Sequence, residues 1–150
     1  MARTIDPAVH RVRRDAFIDA AQRLMQERGW AETSVQDVLD AVHASRGAFY
    51  HYFDSKAALL DAVIARMGDA GLATLEPVVA DPRLTAIEKL DGIFHGLARF
   101  KAERTELLVE LLRVWRSDEN AVVREQFRRH AGQALAPLLA RVVRQGQAEG

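Results

Sequence analysis

The chain has 150 residues, no cysteine and a formal net charge of zero at pH 7, with 21 basic and 21 acidic side chains. The absence of cysteine excludes a disulfide scaffold and a thiol nucleophile, and it fits a reducing compartment. No apolar run approaches the roughly 20 residues that a bilayer requires, and the N-terminus lacks a signal peptide's apolar core. We therefore expect a cytoplasmic protein with no membrane partner.

The first predicted helix begins at Asp6-Pro7, because proline at the first helical position needs no N–H partner. Gly29 is expected to end this helix. Its core face is predicted from helical spacing to be Phe17, Ala20, Ala21, Leu24 and Met25. A local excess of arginine precedes this face, at Arg3, Arg11, Arg13 and Arg14. A basic arm along DNA and a merely solvated terminus are both open interpretations.

The segment from Thr33 to Lys56 predicts two short helices joined by a tight turn. Thr33 and Gln36 have the spacing of a capping box, which predicts a helix beginning at Ser34. Ser45 then predicts the N-cap of a second helix running from Arg46 to Tyr52. The buried face of the first of these helices is predicted to be Val35, Val38, Leu39 and Val42. A connecting turn of about three or four residues is typical of a helix-turn-helix.

The outer face of the second helix suits the major groove of DNA. Arg46 can make a forked contact with guanine, and Gly47 lets DNA approach closely. Phosphate oxygens can accept hydrogen bonds from Tyr50 and His51, and Lys56 adds a positive charge at the next helix start. An ordinary aromatic core helix is the weaker alternative, since its tyrosine and histidine would not be exposed. The predicted DNA-binding residues are Thr33, Ser34, Ser45, Arg46, Gly47, Ala48, Tyr50, His51 and Lys56.

From about Arg13 to Leu60 the chain resembles the N-terminal domain of TetR-family transcriptional regulators. Two positions depart from the family pattern: Leu39 stands where alanine is usual, and His43 where glycine is usual. Leu39 can widen the packing between the two helices, and His43 must adopt the left-handed conformation or change the turn. The matching residues are Ala20, Ala21, Gly29, Trp30, Thr33, Val38, Ser45, Gly47, Tyr50, His51, Tyr52, Phe53, Ser55, Lys56 and Leu59.

A fourth helix is predicted from Ser55 to about Leu75, where Pro77 stops it, and its length suggests a connector. The segment from Glu76 to Leu84 is expected to be a boundary loop. Thr85 and Glu88 form a second capping box, which opens a fifth helix. The apolar stripe of that helix is Ile87, Leu90, Ile93, Phe94, Leu97 and Phe100.

The sixth predicted helix, Thr105 to Arg116, is apolar around nearly its whole circumference, so we expect it to be central and buried. Ser117 and Asp118 can cap a last helix that Pro137 should kink. The stripe of the last helix is Val123, Phe127, Ala131, Ala134, Leu138 and Val142. The predicted fold class is thus all-α, with a three-helix helix-turn-helix head in residues 1–56. A connector helix joins it to a C-terminal helical bundle for ligand binding and dimerisation in residues 57–150.

A polar line of Glu106, Glu110 and Arg113 crosses the sixth helix, and buried charge needs a partner. One hypothesis is that Glu110, Arg113 and Arg116 orient a small molecule; an intramolecular ion pair or a solvated edge is slightly favoured for any one of them. The candidate ligand-binding residues are Phe94, Leu97, Glu110, Leu111, Arg113, Trp115 and Phe127. His95 and His130 lack neighbouring ligands, so neither a metal nor a cofactor is predicted.

The family resemblance implies a repressor that binds a near-palindromic double-stranded operator as a homodimer. A small-molecule effector in the C-terminal bundle would move the connector and spoil the roughly 34 Å separation of the two recognition helices. Family members usually continue with two further helices beyond the equivalent of Gly150, so the mode of dimerisation stays open. The alternative is a helical protein-interaction module or a regulator without DNA-binding activity. An enzyme is not expected, because no nucleophile, base or metal set converges.

Overall fold

The computed structural model describes residues 6–116 and 121–150, except for the side chains of residues 115, 121–127, 129–131 and 134. The regular secondary structure of those residues is helical, and no strand occurs among them. The prediction of an all-α fold is confirmed. None of the described helices is long and apolar enough to cross a membrane. The helices are α1 (Pro7–Arg28), α2 (Val35–Val42), α3 (Arg46–Tyr52), α4 (Lys56–Ala73), α5 (Glu76–Ala80), α6 (Ala86–Ala102), α7 (Thr105–Arg116) and α8 (Ala121–Glu149).

Side-chain caps fix where the first helices begin. The Asp6 carboxylate accepts a hydrogen bond from the Ala8 N–H at 2.9 Å, which satisfies a free donor of α1 just after Pro7. Gly29 ends that helix as predicted, with a φ of +88° that glycine adopts readily. The predicted core face of α1 is buried, and Ile18 joins it. Arg3, the predicted Ser117-Asp118 cap and part of the predicted α8 stripe lie outside the described residues.

The capping box of α2 lies one residue beyond its predicted position. Ser34 Oγ accepts from the Asp37 N–H at 3.1 Å, and Asp37 Oδ2 accepts from the Ser34 N–H at 2.7 Å. Thr33 is only 1% exposed, and its hydroxyl donates to the Gly29 carbonyl instead. The predicted partner Gln36 donates to Asp40. The Thr33–Gln36 prediction is therefore wrong, because burial commits the threonine to the preceding turn.

The second half of the chain confirms one boundary prediction and corrects another. Thr85 and Glu88 form the predicted capping box at the start of α6. The segment predicted as a loop from Glu76 to Leu84 instead begins with the one-turn helix α5. Pro77 stands in its first turn, where the missing N–H costs nothing. Val79 of this turn is 4% exposed and packs with α6 and α8, so burial stabilises the extra helix.

Two groups of buried side chains hold the helices together. The head core joins α1, α2, α3 and the first part of α4, and it includes Leu107, Leu111 and Val114 of α7. The body core joins the end of α4 and its following turn to α5, α6 and α8 through Leu75, Val79, Ala86, Ile93, Leu138 and Val142. Helix α4 takes part in both cores, which places it as a connector between the head (α1–α3) and the body (α5–α8).

Helix α7 is not the central, wholly buried helix that its sequence predicts. Leu107 and Leu111 face the head core, whereas Leu112 is 52% exposed and Val109 is 41% exposed. One face of α7 packs in the head core, whereas Val109 and Leu112 on another face are largely exposed among the described residues. Apolarity around the whole circumference therefore overestimates its burial.

Candidate nucleic-acid interface

Helix α3 is held from its inner side by aromatic rings. Ser45 Oγ accepts from the Ala48 N–H at 3.2 Å, so the helix spans Arg46–Tyr52 as predicted. Phe49 has no exposed surface, and its ring lies edge-on to the ring of Phe17 with 5.7 Å between centroids. Such aromatic pairs favour one orientation, which fixes the rotation of α3 against α1.

The outer side of α3 carries the side chains predicted to meet DNA. Arg46, Gly47, Tyr50 and His51 are all exposed, and Tyr50 retains 52% of its surface. Within the described part of the chain, Arg46 makes no hydrogen bond or ion pair, so its guanidinium group is available to a ligand. A Cβ at Gly47 would meet only Ser45 Oγ, at 4.0 Å, so this glycine leaves open space at the surface.

The turn between α2 and α3 keeps the helix-turn-helix geometry despite its two unusual residues. His43 adopts the left-handed conformation, with φ 51° and ψ 45°, which is one of the two predicted outcomes. The Ala44 N–H donates to the Leu39 carbonyl at 3.0 Å and closes the end of α2. Leu39 itself is 2% exposed and belongs to the head core.

The other five predicted contact residues are buried, half-buried or hydrogen-bonded within the protein. Lys56 Nζ donates to the Trp30 carbonyl at 2.7 Å and lies 4.7 Å from the centre of the indole ring. Burial lowers the pKa of Lys56, and the carboxylates of Asp37 and Glu32 counteract that shift. Thr33 is buried, as described above, and Ala48 is half-buried. Ser34 and Ser45 are exposed but serve as N-caps.

The N-terminal part of α1 extends the surface beyond α3. The predicted basic arm is helical from Pro7 onward, with Arg11 and Arg13 exposed. An open cleft of about 990 Å³ lies between this part of α1 and the helix-turn-helix, and Arg13, Ser45 and His51 help to line it. Arg13 of α1 and His51 of α3 therefore line the same concave surface.

Sequence reasoning missed the role of His10 at this surface. The His10 ring lies 5.5 Å from the His51 ring and 4.6 Å from the Tyr52 ring, between centroids. Arg14 similarly places its guanidinium carbon 5.2 Å from the centre of the Phe53 ring. These contacts join residues about 40 positions apart, and no local spacing in the sequence signals them.

The candidate ligand-binding residues do not converge among the described side chains. Glu110 Oε1 accepts from the Trp30 N–H at 2.8 Å, and Arg113 Nη1 donates to Glu110 Oε2 at 3.2 Å. Phe94 is 70% exposed on α6, whereas Leu111 is buried in the head core. The side chain of Leu97 packs on the body core. The side chains of Trp115 and Phe127 lie outside the described residues.

Of the two histidines considered as metal ligands, His95 has a described side chain. His95 is exposed, and its Nδ1 lies 3.0 Å from the Asp91 carbonyl oxygen and 3.2 Å from Asp91 Oδ2, so the prediction that it lacks a neighbouring ligand is wrong for this one carboxylate. His130 lies outside the described side chains. No group of three potential metal ligands occurs in the part of the chain that the structure describes.

A capped three-helix head with an exposed Arg-Gly and Tyr-His face is the arrangement of a helix-turn-helix motif. Residues 17–63 match the family model for bacterial regulatory proteins of the tetR family. The head of this chain is therefore a domain of the TetR type.

Individual relatives extend the similarity beyond the head. The transcriptional repressor KstR2 of Rhodococcus jostii is 31% identical over 127 aligned residues, which cover 75% of this chain and 60% of the relative. The regulator TtgR of Pseudomonas putida is 29% identical over 148 residues, covering 91% and 69% respectively. The chain thus spans about 60–70% of the length of these two relatives.

A solved structure shows the same fold. The fatty acid degradation regulator FadR from Bacillus halodurans superposes with a TM-score of 0.72 at 20% sequence identity, covering 99% of this chain and 72% of FadR. At this identity the likeness establishes the arrangement of helices and says nothing of the ligand.

Proposed function

We propose that this chain is a transcriptional repressor that inserts α3 into the major groove of double-stranded operator DNA. The observation that carries the proposal is the exposed Arg46, Gly47, Tyr50 and His51 face of a helix whose opposite side is fixed by buried Phe49. Arg46 would read a guanine, and Tyr50 and His51 would donate to phosphates. The similarity to the transcriptional repressor KstR2 supports repression of transcription rather than activation.

The concave surface beside α3 supports a second set of contacts. Arg13 on α1 provides positive charge in this cleft, where a phosphate backbone would pass if α3 entered the groove. This local charge compensates for a formal net charge of zero, which gives no general attraction to DNA. We therefore assign α1 a share of the backbone contacts, while Lys56 and Thr33 support the head from within.

We further propose that the regulator acts as a homodimer in the cytoplasm and releases its operator when a small-molecule effector binds the body. Two recognition helices must lie about 34 Å apart to enter successive major grooves, so a small movement disrupts both half-sites. Regulation of DNA binding, rather than catalysis, is the activity that we assign. Phe94 and Leu97 on α6 are the described effector-site candidates that lie on the body side of the molecule.

The test begins by selecting preferred sites from random-sequence DNA with the wild-type chain. Arg46→Ala should then weaken binding by about 1–3 kcal/mol at one or two base pairs and leave other positions unchanged. Arg144→Ala is the matched control, because this exposed arginine lies on α8, outside the helix-turn-helix. Arg13→Ala should reduce affinity for all sequences and lower the salt slope by roughly 0.9, the value for one phosphate contact.

Two outcomes would contradict the proposed readout. The first is that the wild-type chain selects no preferred sequence, which would favour a helical interaction module without DNA-binding activity. The second is that Arg46→Ala leaves the selected sequence unchanged at every position, which would remove the assigned guanine contact.

A further inference from the structure

The corner between α1 and α2 is held by two oppositely charged side chains from distant helices. The Trp30 N–H donates to Glu110 Oε1 of α7 at 2.8 Å. The Trp30 carbonyl accepts from Lys56 Nζ, at the first residue of α4, at 2.7 Å. Trp30 is itself 7% exposed, so both backbone groups are satisfied inside the protein rather than by water.

The carboxylate of Glu110 packs directly against the backbone of this corner. A Cβ at residue 29 would lie 3.1 Å from Glu110 Oε1, and Gly29 also has a φ of +88°. Glycine therefore meets two requirements here, a backbone conformation that other residues rarely adopt and the close approach of an acidic group. The close approach of Glu110 to Gly29 indicates a specific contact between α7 and the head.

Both hydrogen bonds to Trp30 are charge-assisted and shielded from solvent. The Glu110 side chain is 12% exposed, and Lys56 is half-buried beneath the indole ring. Hydrogen bonds with one ionised partner are stronger than neutral ones, and a low local dielectric strengthens them further. Arg113 completes the arrangement from the solvent side, where its own side chain is 75% exposed.

Hydrogen bonds connect the corner directly to the start of the helix-turn-helix. The Thr33 hydroxyl donates to the Gly29 carbonyl at 2.8 Å, and the Thr33 N–H donates to the Trp30 carbonyl at 3.2 Å. The next residue, Ser34, is the N-cap of α2. These bonds connect the held corner to the first helix of the DNA-binding motif within one turn of chain.

We infer that Glu110 and Lys56 are positioning residues that set the angle of the helix-turn-helix relative to the body. Glu110 holds the corner from α7 and Lys56 holds it from α4, so a shift of either helix changes the direction in which α2 and α3 project. Arg66 of α4 provides a further hold on α1 through Asp19 and Gln22. This inference rests on the proposed function only in the second experiment below, which measures DNA binding.

The first experiment measures the angle within one chain and requires no DNA. Because the chain has no cysteine, Gln36→Cys on α2 and Ala98→Cys on α6 give two unique spin-label sites, both at least partly exposed. Electron-spin distance distributions would be recorded with an excess of unlabelled protein, so that only pairs within one chain contribute. Circular dichroism and the melting temperature would verify that each variant is folded.

Glu110→Leu should shift or broaden the distance distribution, since it leaves the Trp30 N–H without an acceptor. Glu110→Gln should stay close to the wild type, because its amide oxygen can still accept that bond. Lys56→Met is an independent second variant that keeps the stem against the indole ring and loses only the donor, and it should also broaden the distribution. Glu149→Leu is the matched control, since Glu149 Oε2 accepts from the Ala86 N–H at 2.9 Å within the body.

The second experiment tests the same angle by measuring affinity for DNA sites whose half-sites are spaced differently. Sites selected by the wild type would be resynthesised with one or two base pairs inserted between half-sites. Glu110→Leu should lose the wild-type preference for one spacing, so that the ratio of affinities falls toward one, while the base preference at the Arg46 position is kept. A merely structural role would lower affinity equally for all spacings.

An unchanged distance distribution in folded Glu110→Leu and Lys56→Met would overturn the inference. So would a Glu110→Gln variant that shifts as far as Glu110→Leu, since the shared hydrogen bond would then be irrelevant. Failure of the wild-type chain to select any DNA site would instead contradict the proposed function, and the distance measurement would still decide the role of Glu110.

Discussion

The head and the body differ in how their shapes are determined. In the head, aromatic rings of α1 and α3 interlock and short side-chain caps define each helix start. In the body, a smaller aliphatic core holds α5, α6 and α8, and it leaves Ile87 79% exposed and Phe94 70% exposed. The head presents a defined polar surface, whereas the body presents apolar side chains without a described partner.

Contacts of short and long range in the sequence have different roles in the two regions. The caps of α2 and α3 bond residues three positions apart, Ser34 to Asp37 and Ser45 to Ala48. The body instead depends on contacts such as Arg141 with Glu76 and Gln145 with the Leu84 carbonyl, each more than 60 positions apart. Local caps define where the helices of the recognition motif begin, while distant contacts such as Phe17 with Phe49 in the head and Arg141 with Glu76 in the body fix how the helices pack.

The largest expected difference in stability comes from truncating one phenylalanine in the head and one in the body. Phe49→Ala should lower the free energy of unfolding by about 3–5 kcal/mol, because it empties the centre of the head core. Phe94→Ala should change it by no more than about 0.5 kcal/mol, because that ring is already exposed. Urea denaturation of both variants measures the difference. Equal losses would show that Phe94 is buried in solution, for example by a second copy of the chain.

The two capping boxes provide a matched comparison of intermediate size. Ser34→Ala in the head and Thr85→Ala in the body should each cost about 1 kcal/mol of stability. Only Ser34→Ala should also reduce DNA affinity, since only α2 supports the recognition helix. Thermal denaturation and DNA titration of the same preparations measure both quantities. If Thr85→Ala weakened DNA binding as much, the body would control the head more directly than its contacts indicate.

The pH dependence of these boxes follows from their carboxylates. Hydrogen bonds from Ser34 lower the pKa of Asp37 from 3.8, and those from Thr85 lower the pKa of Glu88 from 4.5. A lowered folded-state pKa means that the stabilisation is complete above the unfolded value and is lost as pH falls through the folded value. Asp37→Asn and Glu88→Gln should therefore destabilise the protein at pH 7 and lose most of that effect in acid, once the pH has fallen below the folded-state pKa. Urea denaturation at neutral and acidic pH provides the measurement, and a pH-independent difference would contradict the assignment.

The smallest effect concerns the left-handed residue in the turn. His43→Gly should raise stability by about 0.5 kcal/mol, since relief of the left-handed strain exceeds the added chain entropy only slightly. DNA affinity should stay the same, because His43 already has the backbone conformation that glycine would adopt. Chemical denaturation and DNA titration together test this expectation. A loss of affinity would assign the imidazole a contact of its own.

The sequence predicted the fold and the recognition helix because those features depend on short spacings. The bounds of α3 and α7, the α6 capping box and the buried stripe of α1 all follow from residues within one or two turns. The α2 cap was misplaced because Thr33 and Ser34 satisfy similar local rules. Only the burial of Thr33 distinguishes them.

Sequence patterns do not identify the partners of charged residues when those partners are distant in sequence. Lys56 donates to a carbonyl 26 positions earlier, a partner that its place at a helix start does not indicate. On α7, Glu110 accepts from a backbone N–H 80 positions earlier and also pairs with Arg113, which agrees with the slightly favoured prediction of an intramolecular ion pair. Helical periodicity shows that such a charge lies on an apolar helix, but it cannot show which element supplies the partner.

The participation of α7 in the head core limits how this protein can be recombined with others. Leu107, Leu111 and Val114 are each at most 8% exposed, and full burial of such a side chain contributes about 1.5–3 kcal/mol. A fragment ending at residue 56 would leave the surfaces of α1 beneath them open to water. Chimaeras that graft this DNA-binding motif onto another sensor should therefore retain the inward face of α7, including Glu110. Exchange of the motif alone would remove part of its own interior.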